Sequence, residues 1–143
     1  MSELDLPDVN VLVAILTPSH IHHQLAQQWF GQTEGFATTP LTEAGFLRVG
    51  LNPAVTGTTL AAATVLASLR SLRADERWRF LADDSSLTLA AIDLTGWVGH
   101  KQVSDLHLVN LAASHQARLV TLDLRIRSTL TPKDHRSVLV LAS

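Results

Sequence analysis

Two short apolar runs near the C-terminus, residues 119–122 and 138–141, constrain this chain most. Neither shows the alternation of a strand with one wet face. Both read as strands buried on both faces, which occur almost only in parallel sheets covered by helices. The rest of the chain supplies the coverings. Residues 9–16 form an apolar stretch that can begin a helix just after Asp8. Thr17-Pro18-Ser19 reads as a helix start, followed by Ile21, Leu25 and Trp29 on one face, with Gly31 as its stop. Thr39-Pro40 opens another helix with Leu41, Phe46 and Val49 inward, ended by Asn52-Pro53. Thr58 or Thr59 caps a third, over 60–72. Ser104 is an N-cap for a fourth, running to about Ala117.

Between these helices lie strand candidates near 4–8, 36–38 and 77–81. The alternation of strand and helix predicts an α/β chain: one domain over 1–143, with a central parallel sheet flanked by helices on both sides. Pro7 is awkward in the first strand, because proline cannot donate to a ladder. Residues 83–98 carry no clear pattern.

Composition narrows the chemistry. There are 143 residues, 46% of them hydrophobic, enough to build a core without staples. No cysteine is present, which excludes disulfides, thiolate metal sites and cysteine nucleophiles, and a reducing, cytoplasmic setting is expected. No apolar run approaches the ~20 residues that span a bilayer, so no membrane association is expected. The N-terminal ten residues lack the order of a signal peptide. Net charge is −2, but the distribution is uneven. Residues 1–47 hold five acids and no lysine or arginine, whereas residues 48–143 hold eleven basic residues against eight acids. An acidic patch suits cations and a basic one suits phosphates; ordinary surface charge is the plainer alternative.

Three acids fall at element boundaries. Asp8 follows the first strand, Asp105 sits in a helix first turn, and Asp123 follows the strand over 119–122. Glu43 lies early in the helix opened by Thr39-Pro40. Ligands gather at the carboxyl ends of strands in open parallel sheets. Taken singly, each acid also fits a turn or helix-dipole role. Together they repel. Two carboxylates ~5 Å apart at an effective dielectric of ~20 cost about 3 kcal/mol, and a divalent cation relieves that repulsion. Carboxylate and water oxygens suit hard ions such as magnesium or manganese. Such an ion activates water and offsets charge at a phosphate.

The chain resembles the PIN-domain ribonucleases, in particular the VapC-type toxins of type II toxin–antitoxin pairs. The matching segments are DVNVLVA at 8–14, TEAGFLRV at 42–49, GHKQVSD at 99–105 and Leu122-Asp123, with RFLADD at 79–84 also similar. The resemblance implies a PIN-like α/β/α domain and a metal-dependent endoribonuclease using Mg2+ or Mn2+. It places Asp8, Glu43, Asp105 and Asp123 on the family's acidic quartet, as catalytic residues and metal ligands, and Ser104 on the polar position supporting the third acid. It also implies an RNA substrate, a cognate VapB-type antitoxin that occludes the acidic pocket, and a homodimer. A degenerate domain that binds protein or RNA without cleaving is the alternative, and a DNA nuclease a third. Two departures stand out: Pro7 before the first acid, and Leu124-Arg125 after the last.

Other residues carry open readings. His20, His22 and His23 lack the spacing of a metal site on a helix. His100 either contacts RNA or stabilises a loop. Asn10 and Asn110 either meet metal-held water or serve packing and capping. Arg70, Arg73, Arg77 and Arg79 either hold RNA phosphates or form an exposed face. No serine–histidine–aspartate signature is visible.

Overall fold

The computed structural model describes residues 3–142. Five parallel strands form one sheet: β1 (Leu4–Pro7), β2 (Phe36–Thr38), β3 (Trp78–Phe80), β4 (Ala117–Thr121) and β5 (Val138–Val140), in the order β3-β2-β1-β4-β5. The helices are α1 (Val9–Leu16), α2 (His23–Gln32), α3 (Pro40–Gly50), the single turn α4 (Pro53–Thr56), α5 (Ala62–Arg73), α6 (Val103–Ser114) and the short α7 (Ile126–Thr129). This is the α/β arrangement that the alternation of strand and helix predicts, a central parallel sheet flanked by helices, and it agrees with the α/β/α domain that the resemblance implies. No described helix is long and apolar enough to cross a membrane.

Each face of the sheet builds its own core, as the parallel arrangement requires. Val11, Leu12, Trp29, Phe46, Leu69 and Val120 pack on one side. Leu6, Leu106, Leu111, Leu119, Ile126 and Val138 pack on the other. Neighbouring β4 residues Leu119 and Val120 therefore point to opposite cores, which is why that stretch carries no polar alternation. β5 fits the same idea less completely. Val138 is buried, while Leu139 and Val140 are half-buried, because β5 is an edge strand.

Pro7 sits in the central strand opposite Val120 of β4. Asp8 N–H donates to the Val120 carbonyl (2.9 Å) and Asp5 N–H to the Gly35 carbonyl (3.0 Å). Backbone groups alternate sides along a strand, so the donor Pro7 lacks would face β2. There the β1–β2 register pairs only Asp5 with Phe36. The proline is tolerated because its missing hydrogen bond falls where pairing has already ended.

Several predicted boundaries move. α2 begins at His23, four residues after Ser19, and Ile21 is 88% exposed rather than part of the buried face. The segment before it is instead held by histidines: His22 N–H donates to His20 Nδ1, and His23 Nδ1 contacts the Ala14 carbonyl at 2.7 Å. α5 is capped at Ala61, not at Thr58 or Thr59. α6 is preceded by a 3-10 turn, His100–Gln102, so its cap is Gln102 and Ser104 lies inside the first turn. Residues 83–98, patternless in sequence, wrap along α6 through polar ties. Asn110, fully buried, accepts from Ala91 N–H (2.7 Å) and donates to the Ser86 carbonyl. His107 and His115 meet Asp83 (2.6 Å) and Asp84 (2.8 Å). Asn110 is thus a bracing residue rather than one poised over a metal.

Candidate active site

The strand order reverses at β1, whose successor β2 lies on one side and β4 on the other. The crevice beyond the carboxyl ends of β1 and β4 is the topological switch point, where open α/β sheets bind ligands. Asp8 leaves β1 there, and Asp123 stands two residues beyond β4. α6 packs against β4 and brings Asp105, in its first turn, over the same edge.

Asp8 does several things at once. It is the N-cap of α1: Oδ1 accepts from Val11 N–H at 3.0 Å. Oδ2 accepts from Thr121 Oγ1 at 2.6 Å, and Thr121 Oγ1 in turn accepts from Asp123 N–H. Burial, opposed by those hydrogen bonds and reinforced by the charges of Asp105 and Asp123, pushes the Asp8 carboxyl up from 3.8 to about 6. Burial and the Asp123 charge also raise Asp105. Asp105 has no hydrogen-bond partner among the described residues, and it lines two adjoining hollows. One, of about 230 Å³, holds Asp8, Asn10, Arg48 and Ser104; the other, of about 390 Å³, holds Asp123. Ser104 is exposed and its hydroxyl makes no hydrogen bond to Asp105.

Asp123 is lowered instead, chiefly by Arg125, whose Nε and Nη2 reach its two oxygens at 3.0 and 2.9 Å. Glu43 stands apart. It occupies the first turn of α3, where Gly45 lets α1 approach so closely that a Cβ would meet Val9 Cγ2 at 2.4 Å. Its charge is not among those that raise Asp8 or Asp105. Arg73 Nη1 and Thr38 Oγ1 hold its carboxylate instead. The structure therefore brings three of the four predicted acids into electrostatic contact and ties the fourth to an arginine.

Among the described residues, no three histidine, aspartate or glutamate side chains converge into a finished metal cage. The donor set nevertheless fits a hard dication: carboxylate oxygens only, with one carboxylate unpartnered and two raised chiefly by burial and further by neighbouring carboxylates. Sequence reasoning missed Arg48, Arg125 and Thr121 as site residues, and it saw Arg73 only as one of a basic cluster. Arg48 has a visible signal, being the first basic residue in the chain. The Arg73–Glu43 contact joins residues thirty positions apart and leaves no local trace.

The buried acid of β1, Asp5, was not a candidate, and it is satisfied. Trp29 Nε1, Thr33 Oγ1 and Arg118 Nε donate to it at 2.8, 2.8 and 2.7 Å, at the other end of the strand from Asp8.

The sheet order, its flanking helices and the carboxylates at the switch point define a PIN-like domain of the nuclease type. No family model matches the sequence. Curated relatives do. Ribonuclease VapC38 of Mycobacterium tuberculosis (strain ATCC 25618 / H37Rv) is 48% identical over 120 residues, covering 82% of this chain and 84% of that protein. Ribonuclease VapC39 of the same species is 41% identical over 121 residues, covering 82% and 87%. Ribonuclease VapC44, also from that species, is 36% identical over 141 residues, covering 94% and 98%. The chain belongs to the VapC ribonuclease family. The crystal structure of VapBC2 from Rickettsia felis bound to a promoter DNA fragment shares the fold, with a TM-score of 0.60 at 13% identity over 88% of this chain and 92% of that one.

Proposed function

We propose that this chain is a Mg2+- or Mn2+-dependent endoribonuclease, the toxin of a toxin–antitoxin pair, with residues 1–143 forming a single nuclease domain. The observation that carries the reading is the meeting of Asp8, Asp105 and Asp123 at the switch point, where Asp105 lines one hollow with Asp8 and another with Asp123, and where burial, with the neighbouring carboxylates as smaller causes, raises Asp8 and Asp105. A fold that keeps repelling carboxylates in one crevice gains most from a dication, and the family's ribonuclease names supply the reaction class.

Asp8, Asp105 and Asp123 are the residues that would hold the ion, with Glu43 the fourth acid at the rim. A divalent ion there supplies Lewis-acid activation of water and charge neutralisation at the phosphate. The chain supplies the rest. Thr121 fixes the Asp8 carboxylate and the turn carrying Asp123 with one hydroxyl. Arg125 holds Asp123 ionised at the crevice mouth. Arg48, beside Asp8 and Asp105, presents a cation to the phosphate backbone. A cytoplasmic location, a homodimer and a VapB-type antitoxin that covers the crevice complete the reading; the solved relative is itself a VapBC complex.

Cleavage of RNA is the test. The purified chain is expected to cut RNA with Mg2+ or Mn2+, to stop with EDTA, and to lose activity in Asp8→Asn and Asp105→Asn. Cleavage that persists in both variants removes the carboxylates from the mechanism. Tight RNA or protein binding with no turnover favours the non-cleaving alternative, and preference for DNA over RNA favours the DNA nuclease.

A further inference from the structure

The larger hollow beside the carboxylates is already built, and nothing so far gives it an occupant. It measures about 390 Å³, within the range of small-molecule sites, and is lined by Val98, His100, Lys101, Arg125, Ile126 and Thr129 together with Asp105 and Asp123. One wall is the loop that leads into α6, and two side chains, Trp97 and Gln102, hold that loop in place. Trp97 Nε1 donates to the Gly99 carbonyl at 2.8 Å. Gln102 Oε1 accepts from Val98 and Gly99 N–H at 3.0 and 3.1 Å. The other end of the same amide donates to Thr129 Oγ1 on α7 at 3.1 Å, so the two walls are tied together. Gly96 closes the base of the loop: a Cβ there would lie 2.3 Å from the Thr129 carbonyl oxygen.

The lining divides by chemistry. Ile126, which is buried, and Val98, which is 88% exposed, are its apolar side chains. The Lys101 and His100 side chains make no hydrogen bond among the described residues, and the Arg125 side chain is 90% exposed. Asp105 and Asp123 also line it and are shared with the candidate catalytic crevice. Apolar side chains able to meet a ring, the Lys101 and Arg125 cations, and two carboxylates of the candidate reacting centre in one lining match one nucleotide of a single strand.

We infer that this hollow is a nucleotide subsite: it takes the base and sugar of the residue next to the scissile phosphate, with Lys101, His100 and Arg125 on the flanking phosphates. The inference rests on the ribonuclease reading for the word scissile, but the binding it asserts does not. A peptide of a protein partner is the competing occupant. The cations favour a polyanion, and the direct junction with the carboxylates favours the substrate.

The test is titration of the 15N-labelled chain with each of the four nucleoside 5′-monophosphates, with inorganic phosphate as control, followed by amide shifts. Perturbations are expected at Val98, Gly99, Lys101 and Ile126, larger for at least one nucleotide than for phosphate, and weakened fivefold or more in Val98→Asp and Lys101→Glu. Both positions are exposed, so folding is preserved, and unchanged Mn2+ affinity in both variants checks that the carboxylates are intact. Shifts elsewhere, or equal shifts from phosphate alone, overturn the subsite. On RNA, the two variants are expected to raise KM or change the preferred cleavage position with kcat retained. A chain that cleaves identically with and without them keeps the enzyme and loses the subsite. A chain that binds nucleotides here yet never cleaves keeps the subsite and loses the enzyme.

Discussion

A single guanidinium nitrogen, Arg73 Nη1, lies 3.1 and 3.0 Å from the two carboxylate oxygens of Glu43. The contact is one side of a closed circuit. Thr38 Oγ1 donates to Glu43 at 2.6 Å, Trp78 Nε1 donates to Thr38 at 2.9 Å, and the Arg73 guanidinium carbon stands 4.3 Å from the centre of the Trp78 ring. Three elements, β2, β3 and α5, thus fix one acid of α3.

Replacing Arg73 by methionine tests what the circuit does. Arg73 is partly exposed, so the ion pair contributes at most about 1 kcal/mol to stability, and the cation–π contact a similar amount. Denaturant unfolding is expected to show a small loss. RNA cleavage is expected to fall by about tenfold or more, equivalent to about 1.4 kcal/mol in the barrier, with Arg73→Lys in between. Equal cleavage by wild type and variant assigns the circuit to packing alone.

Thr38→Val probes the same circuit from its buried side. Thr38 is fully buried, and valine leaves Trp78 Nε1 without its acceptor. Such an orphaned donor costs about 1–3 kcal/mol. A larger stability loss than in Arg73→Met is expected on urea unfolding, and the reverse order contradicts the geometry.

Asp8 ties stability to pH. Its carboxyl titrates near 6 in the native chain and at the ordinary 3.8 when unfolded. Between those values the native state holds a proton that the unfolded state has released. Stability therefore falls as pH rises from about 4 to 6, and the full loss remains above 6. The displacement corresponds to on the order of 3 kcal/mol. Without added metal, the chain is expected to melt at lower temperature at pH 7 than at pH 5, and Asp8→Asn is expected to flatten that slope. Mn2+ at a hundred times its dissociation constant is expected to restore about 2.7 kcal/mol at pH 7, and less at pH 5, where protons compete. Melting that is insensitive to pH over this window refutes the assignment.

Asp5→Ala supplies the contrast. It strips three donors of their shared acceptor and leaves Arg118 facing Glu3 alone, so a loss of about 3 kcal/mol is expected. Asp5 and Asp8 lie roughly 10 Å apart along the strand, three residues at ~3.3 Å each. Mn2+ affinity, measured by titration calorimetry, is expected to stay unchanged.

What the sequence makes legible follows from the range of the interaction involved. Strands β4 and β5 and the start of α3 are written in local chemistry: apolar runs of strand length, and Thr-Pro before a helix. The placing of Asp8 and Asp123 at strand ends is legible for the same reason. The start of α2 is not. Pro18 carries a valid helix-start signal, yet the His22 and His23 contacts back to the preceding segment delay the helix by several residues. The cap of α6 is Gln102 and not Ser104, because Ser104 has the right chemistry but the preceding 3-10 turn takes the chain into the helix earlier. Residues 83–98 gave no pattern because their order comes from Asn110, His107 and His115 on another element. The hold of Arg73 on Glu43 joins two helices, and that of Thr121 on Asp8 joins the ends of two neighbouring strands, each between residues far apart in the chain, which no residue spacing announces.

The carboxylate that starts α1 is also the one proposed to grip the ion, and this matters to anyone wanting a harmless yet intact copy of the protein. Truncating Asp8 uncaps a helix and frees Thr121, so silence there comes mixed with damage. Asp105 bears no such scaffolding duty among the described residues, and an asparagine at that position offers the cleaner decoy for trapping RNA or an antitoxin.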